Sequence, residues 1–458
     1  MRIRLRHGRF PENGRAILFS DVHGNVEALR EVIRIVEPRE GDVLFPVGDY
    51  LERGKDGLGT LREMMKICRE YEVYPVMGNV DAYVLWMFWR STRYTDRALR
   101  FALAAGKGRF AVQARDLLGE KDPFLFPEDV PDLAARINPT EYFIRHTENS
   151  PEEARAFDAF REKVWDAFGE ELTWLKKLPS IMDTGAMVFV HGGLPRETAA
   201  FTEEPSAPTE MTEDEKAPPK AVNWRELAPK HERLAALQGR DIFEVQKNDR
   251  FCDQGLCFER WVAVGHWPVF NYRANFPSEL PLLDSHRHIL SLDGGCSVKS
   301  DGGQLNAFII GDSTEHYPKE SRNLAPVPNI LGRPTAVVYA DVLPKATALD
   351  EQEKSAEIPV SVRWGDNAVK ILERENGLLL VEHESSGRRL YVPERFIYQE
   401  GDPAKGEPTR IRDITDYCPE IHAGDPIRVI AQSDLGTIIK HGGVKGWYHG
   451  RFAPEETI

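Results

Sequence analysis

The sequence predicts an α/β domain followed by a β-rich tail, and three observations carry that prediction. Two short apolar runs, Ala16–Phe19 and Val43–Val47, read as buried parallel strands. Between them Val26, Leu29, Val32, Ile33 and Val36 recur at helical spacing, so the unit is strand–helix–strand. Past about Gly332 the pattern shifts to alternating apolar strands broken by Gly and by Asn376-Gly377. In a strand–helix–strand unit both strand ends open onto one edge of the sheet, where ligands bind. Asp21, His23 and Asp49 are therefore expected to converge there. Hard carboxylate oxygens beside an imidazole suit a hydrolytic divalent metal.

Taken in order, Leu58, Leu61, Met64, Met65 and Cys68 form the apolar stripe of a second helix. Glu72–Val76 is a short strand that delivers Gly78-Asn79-Val80-Asp81. Residues from about 82 to 178 are largely helical in pattern and are expected to form an inserted helical cap. Met187–Val190 is a strand ending in His191-Gly192-Gly193-Leu194. Residues from about 199 to 222 are Pro-, Glu- and Thr-rich and acidic, the composition of a solvated flexible loop. Trp261–Val264 delivers Gly265-His266-Trp267-Pro268, and His288–Leu292 leads into Asp293-Gly294-Gly295. Leu305–Ile310 is expected to be the last strand of the large domain. The recurrence of a polar cluster after one apolar run after another is more specific than any single motif.

These boundaries divide the chain into a large domain over 1–332, a charged connector over 333–357 and two small β modules over 358–400 and 425–458. The stretch 401–424 links the modules. They look like distant copies of one another and resemble SH3-like barrels. With 458 residues and 41% hydrophobic content the chain can bury a sizeable core. A net charge of −14 argues against a general nucleic-acid binder, whose footprint would be basic. The basic Met1–Arg6 is followed by no long apolar stretch, so no signal peptide is read. The most apolar run, Tyr83–Trp89, is too short to span a bilayer. Five cysteines without close pairing favour a reducing cytoplasm over a disulfide framework, and Cys252 and Cys257 lack the second pair of a zinc ribbon.

The set Asp21-Val-His23-Gly, Gly48-Asp49-Tyr-Leu-Glu52-Arg53-Gly54, Gly78-Asn79-Val80-Asp81, His191-Gly-Gly-Leu and His266 resembles the calcineurin-like metallophosphoesterases. The likeness is to the branch holding the phosphoprotein phosphatases and the bacterial symmetrical diadenosine-tetraphosphate hydrolases. Leu292-Asp-Gly-Gly-Cys and Gly302-Gly-Gln-Leu-Asn-Ala-Phe are similar to the closing strands of those bacterial enzymes. The resemblance covers roughly Arg15 to Ile310 and implies a β-sandwich flanked by helices. It implies that Asp21, His23 and Asp49 hold one divalent metal ion. Asp49 would bridge to a second ion held by Asn79, His191 and His266. Manganese comes first among manganese, iron, zinc, cobalt and nickel. Arg53 and Asn79 would bind the substrate phosphate. Two ions about 3.5–4 Å apart lower the pKa of a bridging water and stabilise charge on phosphoryl oxygens, which suits hydrolysis of a phosphate ester.

One position departs from the pattern. The phosphatase branch has His after the Asn, where this chain has Val80. The family assigns that His to protonating the leaving alkoxide, oriented by an acid that here is Glu52 or Asp81. Loss of a general acid costs roughly 10²–10⁴-fold in rate with a poor leaving group, and less with a phenolate or a nucleotide phosphate. The expected substrate is a small phosphate ester or nucleotide, with a phosphoprotein less favoured, and neither nucleic acid nor membrane is an expected partner. A second reading, of a different class, is a catalytically weak scaffold acting through its SH3-like tail. His286 and His288 read as strand-edge residues and Tyr83–Trp89 as packing aromatics, while nothing in the sequence places His146. Because the motifs end by Ile310, a chain stopping near Gly332 is expected to keep its site.

Overall fold

The computed structural model describes residues 1–88, 109–119, 151–202, 230–273, 275–299, 302–401 and 406–455. Much of the expected cap, His146 and residues 203–222 of the expected acidic loop lie outside the described residues. The chain divides into two compact units. The first comprises Met1–Arg30, Pro38–His266 and Leu283–Leu290, and the second Glu31–Glu37, Trp267–Leu282 and Ser291–Ile458.

The first unit is a mixed α/β fold built on two layers of strands. β1 (Leu5–His7) and β2 (Ala16–Phe19) lead into α1 (Val26–Val36), then β3 (Val43–Pro46), α2 (Gly57–Glu70) and β4 (Glu72–Val73). β2, β3 and β4 run parallel, with Ile17 opposite Leu44 and Leu44 opposite Val73. Every residue of β2 and β3 is buried, which explains why these strands read as continuous apolar runs rather than alternating ones. The helices α3 (Asn79–Phe88), α4 (Arg109–Leu117) and α5 (Pro151–Lys177) follow, α5 breaking its helical geometry at Phe168.

The second layer is β5 (Ile181–Asp183), β6 (Met187–Val190) and β9 (Trp261–Val264), with β1 parallel to β5 and β6 parallel to β9. β10 (Leu282–Asp284) and β11 (Ile289–Ser291) continue it in the order β1-β5-β6-β9-β11-β10. β7 (Phe201–Thr202) pairs with β8 (Leu256–Cys257), and the short helices α6 (Lys230–Ala235) and α7 (Phe243–Gln246) lie between them in sequence. The two layers meet where Phe45 of β3 stacks on Phe189 of β6, with ring centroids 4.1 Å apart. The helices pack on one another through aromatic and polar contacts. Phe88 meets Phe110 and Phe160 edge-on, Trp165 donates to the Phe88 carbonyl, and Arg62 of α2 pairs with Glu171 of α5 at 2.8 Å.

The second unit is β-rich. β12 (Leu305–Ile310) is followed by β13 (Thr335–Ala340), which pairs with it antiparallel from Leu305–Ala340 to Ile310–Thr335, so β12 does not close the run of strands. β14 (Lys345–Ala348), β15 (Ser361–Val362), β16 (Ala368–Glu375), β17 (Leu378–His383), β18 (Arg389–Pro393), β19 (Ile397–Gln399), β20 (Thr409–Ile411) and β21 (Ile414–Thr415) come next. The chain ends with β22 (Pro426–Ser433), β23 (Gly436–His441), β24 (Val444–Tyr448) and β25 (Phe452–Pro454). Two meanders of the same plan stand out. β16-β17-β18 and β22-β23-β24 each have strands of 8, 6 and 5 residues, and each first strand bulges at its fifth residue.

The segments expected as connectors contribute to these sheets. The stretch 333–357 supplies β13 and β14, and β14 lies between β22 and β25. The stretch 401–424 supplies β20, which pairs with β16 and β19, and β21, which pairs with β15. The short β14, β20 and β21 carry no uninterrupted apolar run to mark them as strands. The two meanders also share one core, in which Val369, Leu379, Val381 and Val392 pack with Ile438 and Trp447. Beside them lies a buried cluster of charges. Lys440 Nζ sits 2.9 Å from Glu279 Oε2 and 3.6 Å from Asp341 Oδ2, Lys445 Nζ 3.3 Å from Glu279 Oε1, and Arg428 Nε 3.4 Å from Asp341 Oδ1. None of the five cysteines is in a disulfide, and among the described residues no helix is long and apolar enough to cross a membrane.

Candidate metal centre

The turns after β2 and β3 interlock beyond the strands themselves. Asp21 N donates to Gly48 O, His23 N to Asp49 O and Gly24 N to Tyr50 O, all at 2.8–3.0 Å. Gly54 N and Asp56 N then return to the carbonyls of His23 and Gly24. Within this ladder Asp21, His23, Asp49, Glu52 and Arg53 all have positive φ, between 50° and 66°, and His266 after β9 has φ 71°. Such backbone is disfavoured for residues with a Cβ and persists where its surroundings over-determine it, as at binding sites. Close approach is the second constraint. A Cβ on Gly78 would lie 2.0 Å from Asp49 Oδ1, and one on Gly265 would lie 2.1 Å from Asp21 Oδ2.

The structure brings together all six residues expected as ligands. Asp21, Asp49 and His191 present their ligating atoms within 4.8 Å of one another, and all three are buried. His23 Nε2 lies 3.6 Å from Asp21 Oδ1 and 3.8 Å from Asp49 Oδ2, while His191 Nε2 lies 3.3 Å from Asp49 Oδ2. Asn79 Oδ1 is 3.0 Å from His191 Nε2 and 2.8 Å from His266 Nδ1. The outer nitrogen of each imidazole is held elsewhere. His23 Nδ1 faces the Leu51 carbonyl at 3.2 Å, His191 Nδ1 the Val47 carbonyl at 2.8 Å, and His266 Nε2 the Asp249 carboxylate at 2.7 Å.

That pattern fits a divalent cation. An acceptor on one ring nitrogen fixes the proton there and leaves the other nitrogen for a metal, the usual arrangement of ligating histidines. Two buried carboxylates, an amide oxygen and three such nitrogens make a mixed oxygen–nitrogen donor set of the kind first-row divalent metals take. The electrostatics agree. Burial pulls His191 down, but Asp49 and then Asp21 overcome it and raise the imidazole to about 10. Against its own burial, Asp49 is held well below the usual carboxylate range, chiefly by His191. The pocket demands positive charge.

The remaining expected residues fall out differently. Asp81, at the start of α3, accepts four backbone N–H bonds, from Asp49 and Gly78 on Oδ2 and from Tyr50 and Leu51 on Oδ1. Burial, then the Asp49 charge, pushes its carboxyl up to about 7. Glu52 accepts from Arg109 N at 2.8 Å and Phe110 N at 3.3 Å, the first amides of α4, and burial raises it to about 7. Both acids are thus engaged by backbone amides. Val80 donates its N–H to Asp49 Oδ1 at 3.0 Å, and its side chain is nearly buried. Arg53 is exposed and makes no hydrogen bond or ion pair among the described residues. His286 and His288 belong to the β10–β11 turn, His288 Nδ1 facing the Phe258 carbonyl.

Asp249 was not legible. It sits in a polar Lys-Asn-Asp-Arg run after α7, with no apolar strand before it to mark a site. Its bond to His266, the largest of several effects, holds its carboxyl below the usual range.

Residues 14–232 match the family model of the calcineurin-like phosphoesterases. No curated protein matches the chain. Among solved structures, one assigned to a diadenosine tetraphosphatase aligns at 17% identity, covering 67% of this chain and 93% of its own, with a TM-score of 0.30. A protein serine/threonine phosphatase from Saccharomyces cerevisiae aligns at 11% identity, covering 75% and 85%, with a TM-score of 0.33. A metallophosphoesterase from Sphaerobacter thermophilus aligns at 16% identity, covering 72% and 88%, with a TM-score of 0.26.

Proposed function

We propose, from the premise that this chain carries a calcineurin-like phosphoesterase domain and hydrolyses phosphoric ester bonds, that its centre takes two divalent ions and acts on a small phosphate ester or nucleotide. Asp21, His23 and Asp49 would hold one ion, and Asp49, Asn79, His191 and His266 the other. The observation that supports a shared carboxylate is the position of Asp49 Oδ2, within 3.8 Å of His23 Nε2 and 3.3 Å of His191 Nε2. The mixed donors accommodate manganese, with iron, zinc, cobalt and nickel as the other candidates. Such ions, when bound, supply a water of lowered pKa and neutralise charge on phosphoryl oxygens.

The chain's own residues do the rest. Arg53, which makes no hydrogen bond or ion pair among the described residues, offers a planar fork of donors that matches two phosphate oxygens. Asn79 holds its amide oxygen at the junction of His191 and His266, which leaves its NH₂ to donate to the same phosphate. Val80 supplies no proton to the departing oxygen, and neither Glu52 nor Asp81 takes over that task. Esters with acidic leaving groups, a phenolate or a nucleotide phosphate, are therefore favoured over seryl or threonyl phosphate. The tail modules are proposed as an SH3-like pair on the strength of their matching meanders.

A leaving-group series on metal-loaded protein tests this reading. Single-turnover rates should fall steeply as the leaving-group pKa rises. Equal rates for alkyl and aryl phosphates would show that another acid acts. Protein that binds two ions yet cleaves none of the series would be a scaffold instead.

A further inference from the structure

Glu52 and Arg53 are consecutive residues with positive φ, 65° and 66°, and neither is glycine. A pair of this kind relaxes unless something outside the turn restrains it. The loop's own bonds to His23 and Gly24 hold its two ends. The added restraint comes from the helical insertion, at points on both sides of Arg53. Before it, the buried Glu52 carboxylate takes the first two backbone amides of α4, Arg109 N and Phe110 N. After it, Gln113 of α4 donates to Asp56 Oδ1 at 2.6 Å and accepts from Leu58 N at 3.0 Å. Asp56 in turn caps α2 by accepting from Gly59 N at 2.7 Å. Phe110, almost fully buried, meets Phe88 of α3 edge-on and fixes α4 against the helix that begins with Asn79.

We propose that Glu52 is a positioning residue: by taking the first N–H groups of α4 it latches the insertion to the Glu52–Arg53 turn and sets the Arg53 guanidinium for phosphate. This rests on the reading of Arg53 as a phosphate grip. The departure at Val80 then has a counterpart. With Val80 in place of His there is no imidazole to orient, and the acid of that motif is turned instead to the insertion. The carboxyl group is suited to the task, because its two oxygens take two otherwise unpaired amides at once. Gln113 acts through the same turn from its far side.

The test uses the full, metal-loaded chain and four variants: Gln113→Ala, Glu52→Gln, Arg53→Ala and the Arg53→Ala/Gln113→Ala double. Inorganic phosphate is the probe, its binding read by calorimetry beside KM and kcat for an aryl phosphate. Gln113→Ala should weaken phosphate binding and raise KM about tenfold, the scale of one or two lost hydrogen bonds, with kcat and metal content unchanged. In the Arg53→Ala background the same substitution should add nothing, because the turn then has no guanidinium to place. Glu52→Gln should repeat the phosphate loss and speed amide exchange at Arg109 and Phe110. Additive losses in the double variant, or metal loss in Gln113→Ala, would overturn the latch. Phosphate binding that Arg53→Ala weakens and Gln113→Ala does not would overturn it too while leaving the grip standing. If Arg53→Ala itself leaves phosphate binding intact, the grip fails and the latch falls with it.

Discussion

His266 depends on an acid that no motif announces. Asp249 carries its outer nitrogen, and partners of that kind fix the ring and raise its basicity. Asp249→Asn should lower divalent-ion affinity roughly 10–100-fold, measured by competition with a chelator, and unchanged affinity would remove Asp249 from the site. Asp49→Asn should cost both ions, and two tightly bound ions per chain in that variant would sink the shared-carboxylate assignment. His191 gives the pH dependence its sign. Asp49 and Asp21 raise its pKa to about 10 against burial, so near neutrality the empty protein carries a proton where a metal would sit. Uptake must release that proton. Apparent affinity should therefore fall about tenfold for each unit that pH drops, per proton displaced, and a flat profile across the neutral range would contradict it. The convergence of Asp21, His23, Asp49, His191 and His266 was legible because each follows an apolar strand in a polar turn, whereas Asn79 opens α3. The backbone bonds of Glu52 and Asp81 were not legible, because sequence shows a carboxylate's neighbours along the chain, not which amides fold back onto it.

At the scale of elements, the centre consists of strand ends held in costly backbone. Each non-glycine residue in a left-handed turn costs about 1–3 kcal/mol, and the crossed bonds between the β2 and β3 turns offset that cost. The close approach of Gly78 is a part of the same construction. Gly78→Ala should empty the metal positions while leaving far-UV circular dichroism unchanged, because its Cβ would press on both Asp49 Oδ1 and Asp49 N, at 2.0 and 2.2 Å. Full metal content in that variant would mean the turn can shift without harm. β2, β6, β9, α1 and α2 were all readable, since uninterrupted apolar runs ending in polar turns and clear helical spacing leave few alternatives. β13 was not, although all six of its residues are buried. The change in composition after Gly332 masks the short apolar run that pairs with β12.

For the whole molecule, the shared core of the second unit changes what a truncation should do. A chain stopping near Gly332 would lose β13 from beside β12, and Glu279 would be left without Lys440 and Lys445. Such a chain should be insoluble or lack a cooperative thermal transition, rather than keep its activity as the end of the motifs suggested. A finer test is Lys440→Met, which leaves Glu279 short of one partner and Asp341 facing Arg428 alone. Removing one partner from a buried pair costs about 3–5 kcal/mol, readable as a lowered denaturant midpoint. The position of β14 also bears on how the protein is made. Its two edges are filled by β22 and β25, so the strand emerges from the ribosome with neither neighbour and waits for Phe452–Pro454. At bacterial or eukaryotic rates of synthesis that wait is on the order of ten seconds. Throughout it Glu279 and Asp341 remain hydrated charges, which keeps the half-made unit wet and opposes premature collapse until the late lysines arrive to seal it.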